Sequence, residues 1–196
     1  MKYHIIDDSK VENLTKSDAR GDDLVNFNIK IPTNAIKFLK VPYVPNGFEN
    51  SCSEASAEMI LRYWKIQNWS QYEIHQYGYQ TFEGFIAEGD LGLLNFFKYE
   101  NFITEEGKKI NFHVDYVEEG TLADLRKYLD KGIPIIIRYF TNNRGDKHTV
   151  VLIGYNKEGF FKHDNDMGES LFMGNEYLNK AWTKHYILIY PTDFLK

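Results

Sequence analysis

The only cysteine in this 196-residue chain lies where a polar loop passes into a segment with helical periodicity. It is Cys52, in the stretch VPNGFENSCSEASAEMILRYW. Ser51 and Glu54 have the spacing of a capping box, which predicts that a helix begins at the thiol. The free N–H groups and the dipole at a helix N-terminus favour an anion, and the thiolate is the reactive form of cysteine. The position suits a nucleophile, although a small buried core thiol is an equally simple interpretation.

A nucleophilic thiol needs a base, and the chain has six histidines. His148 stands out because GDKHTVVLIGY places it at the start of a strongly apolar strand, where a side chain can be both rigid and accessible. Taken alone, a solvated residue at a strand start is the simpler interpretation. A base also needs an acceptor that orients it. Asp164 ends the segment GFFKHD, and a turn at NKEG would bring the two ends of this hairpin side by side.

The run HDND, residues 163–166, offers a different chemistry. His163, Asp164 and Asp166 could bind a metal ion, together with His148. The run lacks the spacing of a calcium loop, and the chain has no paired-histidine motif. A cluster of exposed polar residues in a turn is the simpler interpretation, so we predict neither a metal nor a cofactor.

The elements that would position these residues come as helices first and strands second. Helical patterns occupy CSEASAEMILRYWKI, a segment starting at SQYE, DLGLLNFFKYE with Asp90 as a possible cap, and TLADLRKYLDKG between Thr121 and Gly132. Strand patterns occupy INFHVDYV, IPIIIRYF, HTVVLIGY, GFFKHD and HYILIYP. This order predicts an α+β fold with mainly antiparallel strands.

The N-terminal 40 residues differ from the rest of the chain. They are polar and charged, except that Val25–Ile31 alternates apolar and polar residues before Pro32, as a half-buried strand does. We therefore predict an extension over residues 1–40, including one strand, and a single domain over residues 41–196.

Composition narrows the classes of partner. The net charge is −5, and the sequence contains 43% hydrophobic and 16% aromatic residues, which is typical of a globular protein. No basic cluster favours nucleic acid or an anionic membrane, and no apolar run approaches the roughly 20 residues that span a bilayer. The N-terminus MKYHIIDDSK lacks the apolar core of a signal peptide. These features predict a cytoplasmic protein, or one whose signal peptide has been removed.

Several of these motifs together resemble a known family. VPYVPN, CSEASAEMILRYW, TLADLRKYLDKGIPIIIRYF and HTVVLIGYNKEGFFKHD resemble the bacteriocin-leader-processing cysteine peptidases and their stand-alone relatives, which belong to the papain-like clan. The resemblance runs from about Val41 to Pro191. It implies a papain-like fold, with N-terminal helices packed on a mostly antiparallel C-terminal sheet.

Transferred to this chain, the resemblance makes Cys52 the nucleophile, His148 the base and Asp164 the orienting acid. Papain-like enzymes use a glutamine six residues before the cysteine for the oxyanion hole, and here that position is Asn46. The family commonly has Cys-Gly-Pro, whereas this chain has Cys-Ser-Glu. No transporter membrane segments follow, so the leader-exporting role of the family is not predicted.

The favoured hypothesis is a thiol hydrolase that cleaves a peptide or isopeptide bond. An acyltransferase would use the same three residues with an amine or alcohol in place of water, so the sequence does not separate these two activities. A third hypothesis is a non-catalytic binding module on the same scaffold, which predicts a broken triad. In the first two cases the partner is a peptide or an acyl-carrying substrate.

Overall fold

The computed structural model describes residues 32–66, 68–82, 90–99, 101–141 and 146–195. Over these residues the protein has the predicted α+β fold, with helices packed on an antiparallel sheet. The strand predicted over Val25–Ile31 lies outside the described residues. The division of the chain at residue 40 remains a prediction.

The helices begin close to the predicted positions. Their bounds are α1 Cys52–Tyr63, α2 Gln71–Phe82, α3 Asp90–Tyr99, α4 Leu122–Asp130 and α5 Asn175–Ala181. Reciprocal hydrogen bonds between Ser70 and Glu73 form the predicted capping box before α2, and Thr121 caps α4 by pairing with Asp124. Helix α1 ends before the predicted Ile66, because Lys65 adopts a left-handed conformation with φ 65°. No helix among the described residues is both long and apolar enough to cross a membrane.

The described strands form a seven-stranded sheet and a small two-stranded one. Their bounds are β1 Lys37–Phe38, β2 Phe102–Ile103, β3 Lys109–Ile110, β4 Phe112–Val117, β5 Ile135–Phe140, β6 Lys147–Tyr155, β7 Gly159–Asp164, β8 Gly168–Gly174 and β9 Trp182–Pro191. The order in the large sheet is β4-β9-β5-β6-β7-β8, with β1 paired to β6 and every pairing antiparallel. The central strand β6 is buried from His148 to Tyr155, which explains its continuous apolar sequence.

The short strand β1 joins the large sheet before the predicted domain boundary. Lys37 and Phe38 pair with Tyr155 and Gly154 of β6, and the side chain of Leu39 enters the core. A Cβ on Gly154 would lie 2.4 Å from the carbonyl oxygen of Lys37, so the absence of a side chain lets the two strands approach. Residues before Val41 therefore contribute to the sheet.

Strand β8 and helix α5 have no counterpart in the sequence prediction. The strand lies at the edge of the sheet and is mostly half-buried, and its sequence GESLFMG lacks a clear apolar alternation. The helix has only seven residues and buries a single leucine, Leu178. Elements with so little buried surface leave a weak periodic signal.

Candidate active site

Cys52 is the first residue of α1, as the sequence predicted, but the reason differs. The predicted capping box does not form, because the Ser51 hydroxyl donates to the carbonyl of Phe48 at 2.7 Å and the Glu54 carboxylate contacts His75 Nδ1 at 3.1 Å. Asn50 instead turns the chain into the helix with φ 62°, a conformation that asparagine tolerates better than most residues. The thiol is partly exposed.

His148 and Asp164 come together as the predicted hairpin requires. His148 is the second residue of β6, Asp164 is the last residue of β7, and His148 Nε2 donates to Asp164 Oδ1 at 2.8 Å. Since Nε2 is engaged in this way, Nδ1 is the nitrogen that remains for the thiol. The thiol of Cys52 forms a hydrogen bond with the His148 side chain. The three predicted residues therefore form one connected chain of polar groups.

The thiol and the imidazole shift each other's proton affinity. Burial raises the pKa of the Cys52 thiol, but hydrogen bonds from His148 and from the backbone N–H of Thr149 outweigh burial and lower this pKa overall. Burial lowers the pKa of His148, but hydrogen bonds with Asp164 and Cys52 outweigh burial and raise it to about 9. These opposite shifts favour a thiolate beside an imidazolium over a neutral thiol beside a neutral imidazole.

Asp164 is fully buried and has partners on both carboxylate oxygens. Oδ1 accepts from His148, and Oδ2 accepts from the Tyr139 hydroxyl at 3.0 Å and from the ammonium of Lys162. Burial raises the pKa of the Asp164 carboxyl, but the bonds from His148 and Lys162 dominate and hold this pKa well below its usual range. Asp164 is therefore ionised wherever the protein is folded near neutral pH. Neither Tyr139 nor Lys162 was predicted from the sequence.

Asn46 lies at the site, but its amide is already engaged. Its Nδ2 donates to Asp166 Oδ1, while Asp166 Oδ2 lies 3.5 Å from His148 Nδ1. Its Oδ1 is buried without a hydrogen-bond partner among the described residues. Asp166 thus lies between the predicted oxyanion donor and the predicted base, an arrangement that the sequence reading did not anticipate.

The loop that carries Asn46 is held by a side chain rather than by the conformational freedom of Gly47. Gly47 does not adopt a positive φ, so a left-handed glycine is not what brings Asn46 towards the thiol. Instead, Gln71 at the start of α2 accepts from the Gly47 N–H and donates to the Pro45 carbonyl, both at 2.9 Å. The backbone N–H of Asn46 also donates to the carbonyl of Asn165 at 2.9 Å.

Asn165 links the helix of the thiol to the hairpin of the histidine. Its Nδ2 donates to the carbonyl of Cys52 at 2.8 Å and lies 3.4 Å from both Ser56 Oγ and the carbonyl of Thr149. Asn165 is buried, with 3% of its surface exposed. In the sequence, Asn165 is marked only as part of the run HDND. Its position directly after Asp164 is the sequence feature that could have indicated a role at the site.

His163 is buried in the core, and both of its ring nitrogens are hydrogen-bonded. Its Nε2 donates to the carbonyl of Val41 at 2.8 Å, and its Nδ1 accepts from the Ser170 N–H at 3.1 Å. Burial lowers the pKa of this imidazole and keeps it neutral. Among the described residues no three His, Cys, Asp or Glu side chains are grouped as metal ligands.

A cleft of about 580 Å³ opens over the thiol. Its walls include Asn46, Phe48, Cys52, Tyr139 and His148. The lining contains both polar and apolar groups, so the cleft can bind a main chain through hydrogen bonds and still contact apolar side chains. The arrangement can perform nucleophilic attack with proton transfer at one accessible point.

Solved structures with the same fold include peptidases and peptidase domains. A double glycine motif protease from an AMS/PCAT transporter, in complex with the leader peptide, is 20% identical with a TM-score of 0.54, and the match covers 80% of this chain and 96% of that one. The peptidase domain of Streptococcus ComA is 18% identical with a TM-score of 0.57, covering 77% and 100%. A C39-like peptidase from Bacillus anthracis is 16% identical with a TM-score of 0.51, covering 79% and 97%. Identities this low support the fold alone.

Sequence comparison gives the family. No curated protein matches the chain. The model of the Peptidase_C39 like family matches residues 38–186, about three quarters of the 196 residues. The match begins at the second residue of β1 and extends into β9. The chain therefore belongs to the Peptidase_C39-like family of cysteine peptidase-like proteins.

Proposed function

We propose that the protein is a thiol hydrolase that cleaves a peptide or isopeptide bond through an acyl-enzyme on Cys52. The observation that carries this proposal is the continuous hydrogen-bonded chain from the thiol through His148 to Asp164. A binding module has no need for a thiol of lowered pKa in an open cleft. The hydrogen-bonded series of Cys52, His148 and Asp164 therefore favours a catalytic role over a non-catalytic one.

The roles follow from the protonation states. The Cys52 thiolate attacks the scissile carbonyl, and the imidazolium of His148 donates its proton to the leaving amine through Nδ1. The neutral imidazole then takes a proton from a water molecule as the water oxygen attacks the acyl carbon. The C–S bond breaks, which releases the acid and restores the thiolate beside the imidazolium. Asp164 keeps the imidazole oriented and stabilises its cationic form.

The oxyanion that forms on attack needs hydrogen-bond donors. The first N–H groups of α1 have no partner within the helix, which makes the backbone N–H of Cys52 one candidate donor. The amide of Asn46 is the other, through the N–H that does not engage Asp166 or through both if Asp166 moves aside. The role of Asn46 as an oxyanion donor is therefore a proposal.

A peptide is the proposed class of substrate. One solved structure of the same fold is a protease in complex with a leader peptide, and the cleft over Cys52 is open to an extended chain. An acyltransferase would pass through the same acyl-enzyme, with an amine or alcohol in the place of water. The two activities differ only in the acceptor.

The test is to trap and weigh the acyl-enzyme. A peptide library is incubated with the wild-type protein, and products and intact protein are read by mass spectrometry, with and without added amine acceptors. We expect new peptide termini and a transient adduct on Cys52. Cys52→Ala and His148→Ala should each reduce cleavage by about 10⁴-fold or more, because triad members act as a unit. Asp164→Asn should cost less than either, and Asp166→Asn should cost little.

Two outcomes would redirect the proposal. Products that carry the acyl group on the added amine, without free acids, would show an acyltransferase. The absence of both products and adduct across the library, with a normally folded protein, would favour the binding module.

A further inference from the structure

Lys162 is a buried cation next to the proposed triad. It lies on β7 two residues before Asp164, so the two side chains point to the same face of the sheet. Only 6% of its surface is exposed. Burying an ammonium is costly unless it is paired and hydrogen-bonded, so its partners explain its position.

The partners of Lys162 are Asp164 and Tyr139, two residues that line the same cleft as Cys52. Its Nζ contacts Asp164 Oδ2, donates to the Tyr139 hydroxyl at 2.8 Å and lies 4.6 Å from the centroid of the Tyr139 ring. The Tyr139 hydroxyl in turn donates to the same Asp164 oxygen at 3.0 Å. Tyr139 is paired with His148 across strands β5 and β6, so the three side chains surround one carboxylate.

The two carboxylate oxygens of Asp164 thus accept hydrogen bonds from different groups. Oδ1 accepts from His148 Nε2 and, at 3.2 Å, from the backbone N–H groups of Asp166 and Met167. Oδ2 is occupied by Tyr139 and Lys162. Because both oxygens are held by donors, the carboxylate does not rotate freely about its Cβ–Cγ bond. The imidazole of His148 therefore always meets the same acceptor, Oδ1.

We propose that Lys162 is a positioning residue whose ammonium, together with the Tyr139 hydroxyl, fixes the Asp164 carboxylate and takes up part of its negative charge. This inference rests on the proposed function, because it assigns the charge control of the same site. An unshared Asp164 charge would hold the proton on His148 more tightly. A general acid works best when its pKa lies near the working pH, so sharing the charge helps His148 to release its proton.

Several other charged or titratable groups lie near Asp164 and His148. They are Cys52 on α1, Asp166 after β7, Tyr43 whose hydroxyl donates to the Asp164 carbonyl at 3.3 Å, Tyr177 on α5 near Tyr139, and Lys147 at the rim of the cleft. Glu169 on β8 acts on Tyr43 and His163 instead. Of the two lysines, only Lys162 has a described contact with the carboxylate of Asp164. Its removal is therefore the direct way to change the charge on that carboxylate.

The test measures the titration of His148 in the full-length protein, by NMR of its imidazole. Lys162→Met replaces the cation with an apolar side chain of similar length. We expect the pKa of His148 to rise by about one unit, since a unit positive charge nearby is lost. In Lys162→Met the basic limb of the pH profile of kcat/KM should shift to higher pH by the same amount. Lys162→Arg keeps the positive charge and should restore most of the wild-type behaviour.

The matched control is Lys180→Met, which makes the same chemical change at an exposed ion pair with Glu176. It should leave the titration of His148 unchanged. An unchanged titration in a folded Lys162→Met protein would overturn the inference. If Lys162→Met does not fold, Tyr139→Phe decides: it keeps the ring, removes one donor to Asp164 and should raise the pKa of His148 by a smaller amount, whereas no change would overturn the inference.

The failure of this inference is distinguishable from the failure of the proposed function. A wild-type protein that cleaves peptides, with the same His148 titration in Lys162→Met, would remove only the role of Lys162. A wild-type protein that cleaves nothing, with a titration that moves in Lys162→Met, would keep the role of Lys162 and remove the peptidase.

Discussion

The chemistry of Cys52 comes from its neighbours more than from its helix. The sequence predicts a thiol activated by a capped helix N-terminus, but the capping box is not formed. Burial alone would raise the pKa of the thiol, and it is the hydrogen bonds from His148 and Thr149 that lower it. Activation therefore depends on residues almost a hundred positions away in the chain.

The first prediction concerns the pH dependence of alkylation at Cys52. Because the pKa of the thiol is lowered, the thiolate should be present at lower pH than in free cysteine, whose pKa is about 8.5. The rate of reaction with iodoacetamide in the native protein should reach half its maximum below that value. His148→Ala should move the midpoint up, because burial then acts without its main compensating bond. A wild-type midpoint at or above about 8.5 would contradict the activated thiol.

Peptide cleavage should have a further limit at high pH. The pKa of His148 is raised to about 9, so the imidazolium that protonates the leaving group is lost as the pH rises through that value. The rate of cleavage should therefore fall above about pH 9 while alkylation of the thiolate continues. The comparison of the two profiles on one preparation is the measurement. A parallel fall in both would indicate loss of the fold and not of the proton.

Asn46 is the second residue whose role can be tested directly. If its amide stabilises the oxyanion, Asn46→Ala should lower turnover by roughly 10²–10³, as for loss of one such donor. Alkylation of Cys52 by a small reagent should hardly change, because that reaction forms no oxyanion. Asp166→Asn is the matched control, since it removes the charge that now engages the Asn46 amide and keeps the side-chain shape.

The outcomes for Asn46 are separable. A loss of less than about threefold, well below that range, would make Asn46 a turn residue and place the donor elsewhere. If Asp166→Asn raises turnover, Asp166 restrains the amide in the resting protein. A large loss of activity in Asp166→Asn would instead give Asp166 a role in the reaction.

At the scale of elements, the site depends on how α1 is fixed to the β6–β7 hairpin. The Ser53 and Thr149 hydroxyls lie 3.3 Å apart between helix and strand. Asn165 adds bonds to the carbonyls of Cys52 and Thr149 from the end of β7. The helix supplies the nucleophile and the hairpin supplies its base, so this junction sets the distance between them.

Asn165→Ala should loosen this junction. The substitution removes the amide that satisfies the Cys52 carbonyl, and a lost buried hydrogen bond costs roughly 1–3 kcal/mol in the free energy of unfolding. Chemical denaturation measures that cost, and kcat of the remaining folded protein should fall as well. Asn179→Ala, at an exposed position on α5, should change neither quantity. An Asn165→Ala protein with wild-type kcat would show that packing alone holds the junction.

The elements near the site also show what the sequence can and cannot predict. Cys52 at a helix start and the hairpin spacing of His148 and Asp164 follow from local periodicity and chain order. Lys162, Tyr139 and Asn165 come from the pairing of strands and from contacts across layers, which a single sequence does not specify. Lys162 and Asp164 do share the alternation of one strand, but a lysine in an apolar run looks like a solvated edge residue until the strand is known to be internal.

At the scale of the whole molecule, the cleft lies where the helical layer meets the sheet. Helix α1 packs on β6, and α2 packs on α1 while Gln71 at its start holds the loop of Asn46. The buried Glu54–His75 contact joins the same two helices. The site is thus supported by both layers, and a change in either layer alters the cleft.

The last prediction concerns where this folded unit begins. Lys37 and Phe38 pair with β6, the Leu39 N–H donates to the Ile153 carbonyl at 2.6 Å, and the Phe38 and Phe161 rings lie 5.8 Å apart. A chain starting at Ile36 keeps these contacts and should show the circular dichroism and melting temperature of the full-length protein. A chain starting at residue 41 lacks these contacts, and it also lacks the buried side chain of Leu39, whose burial contributes about 2 kcal/mol. For a domain of this size, the melting temperature of that shorter chain should be lower by roughly 4–8 °C. Equal melting temperatures for the two truncations would exclude β1 from the cooperative unit, and aggregation of the chain starting at Ile36 would show that earlier residues belong to the fold.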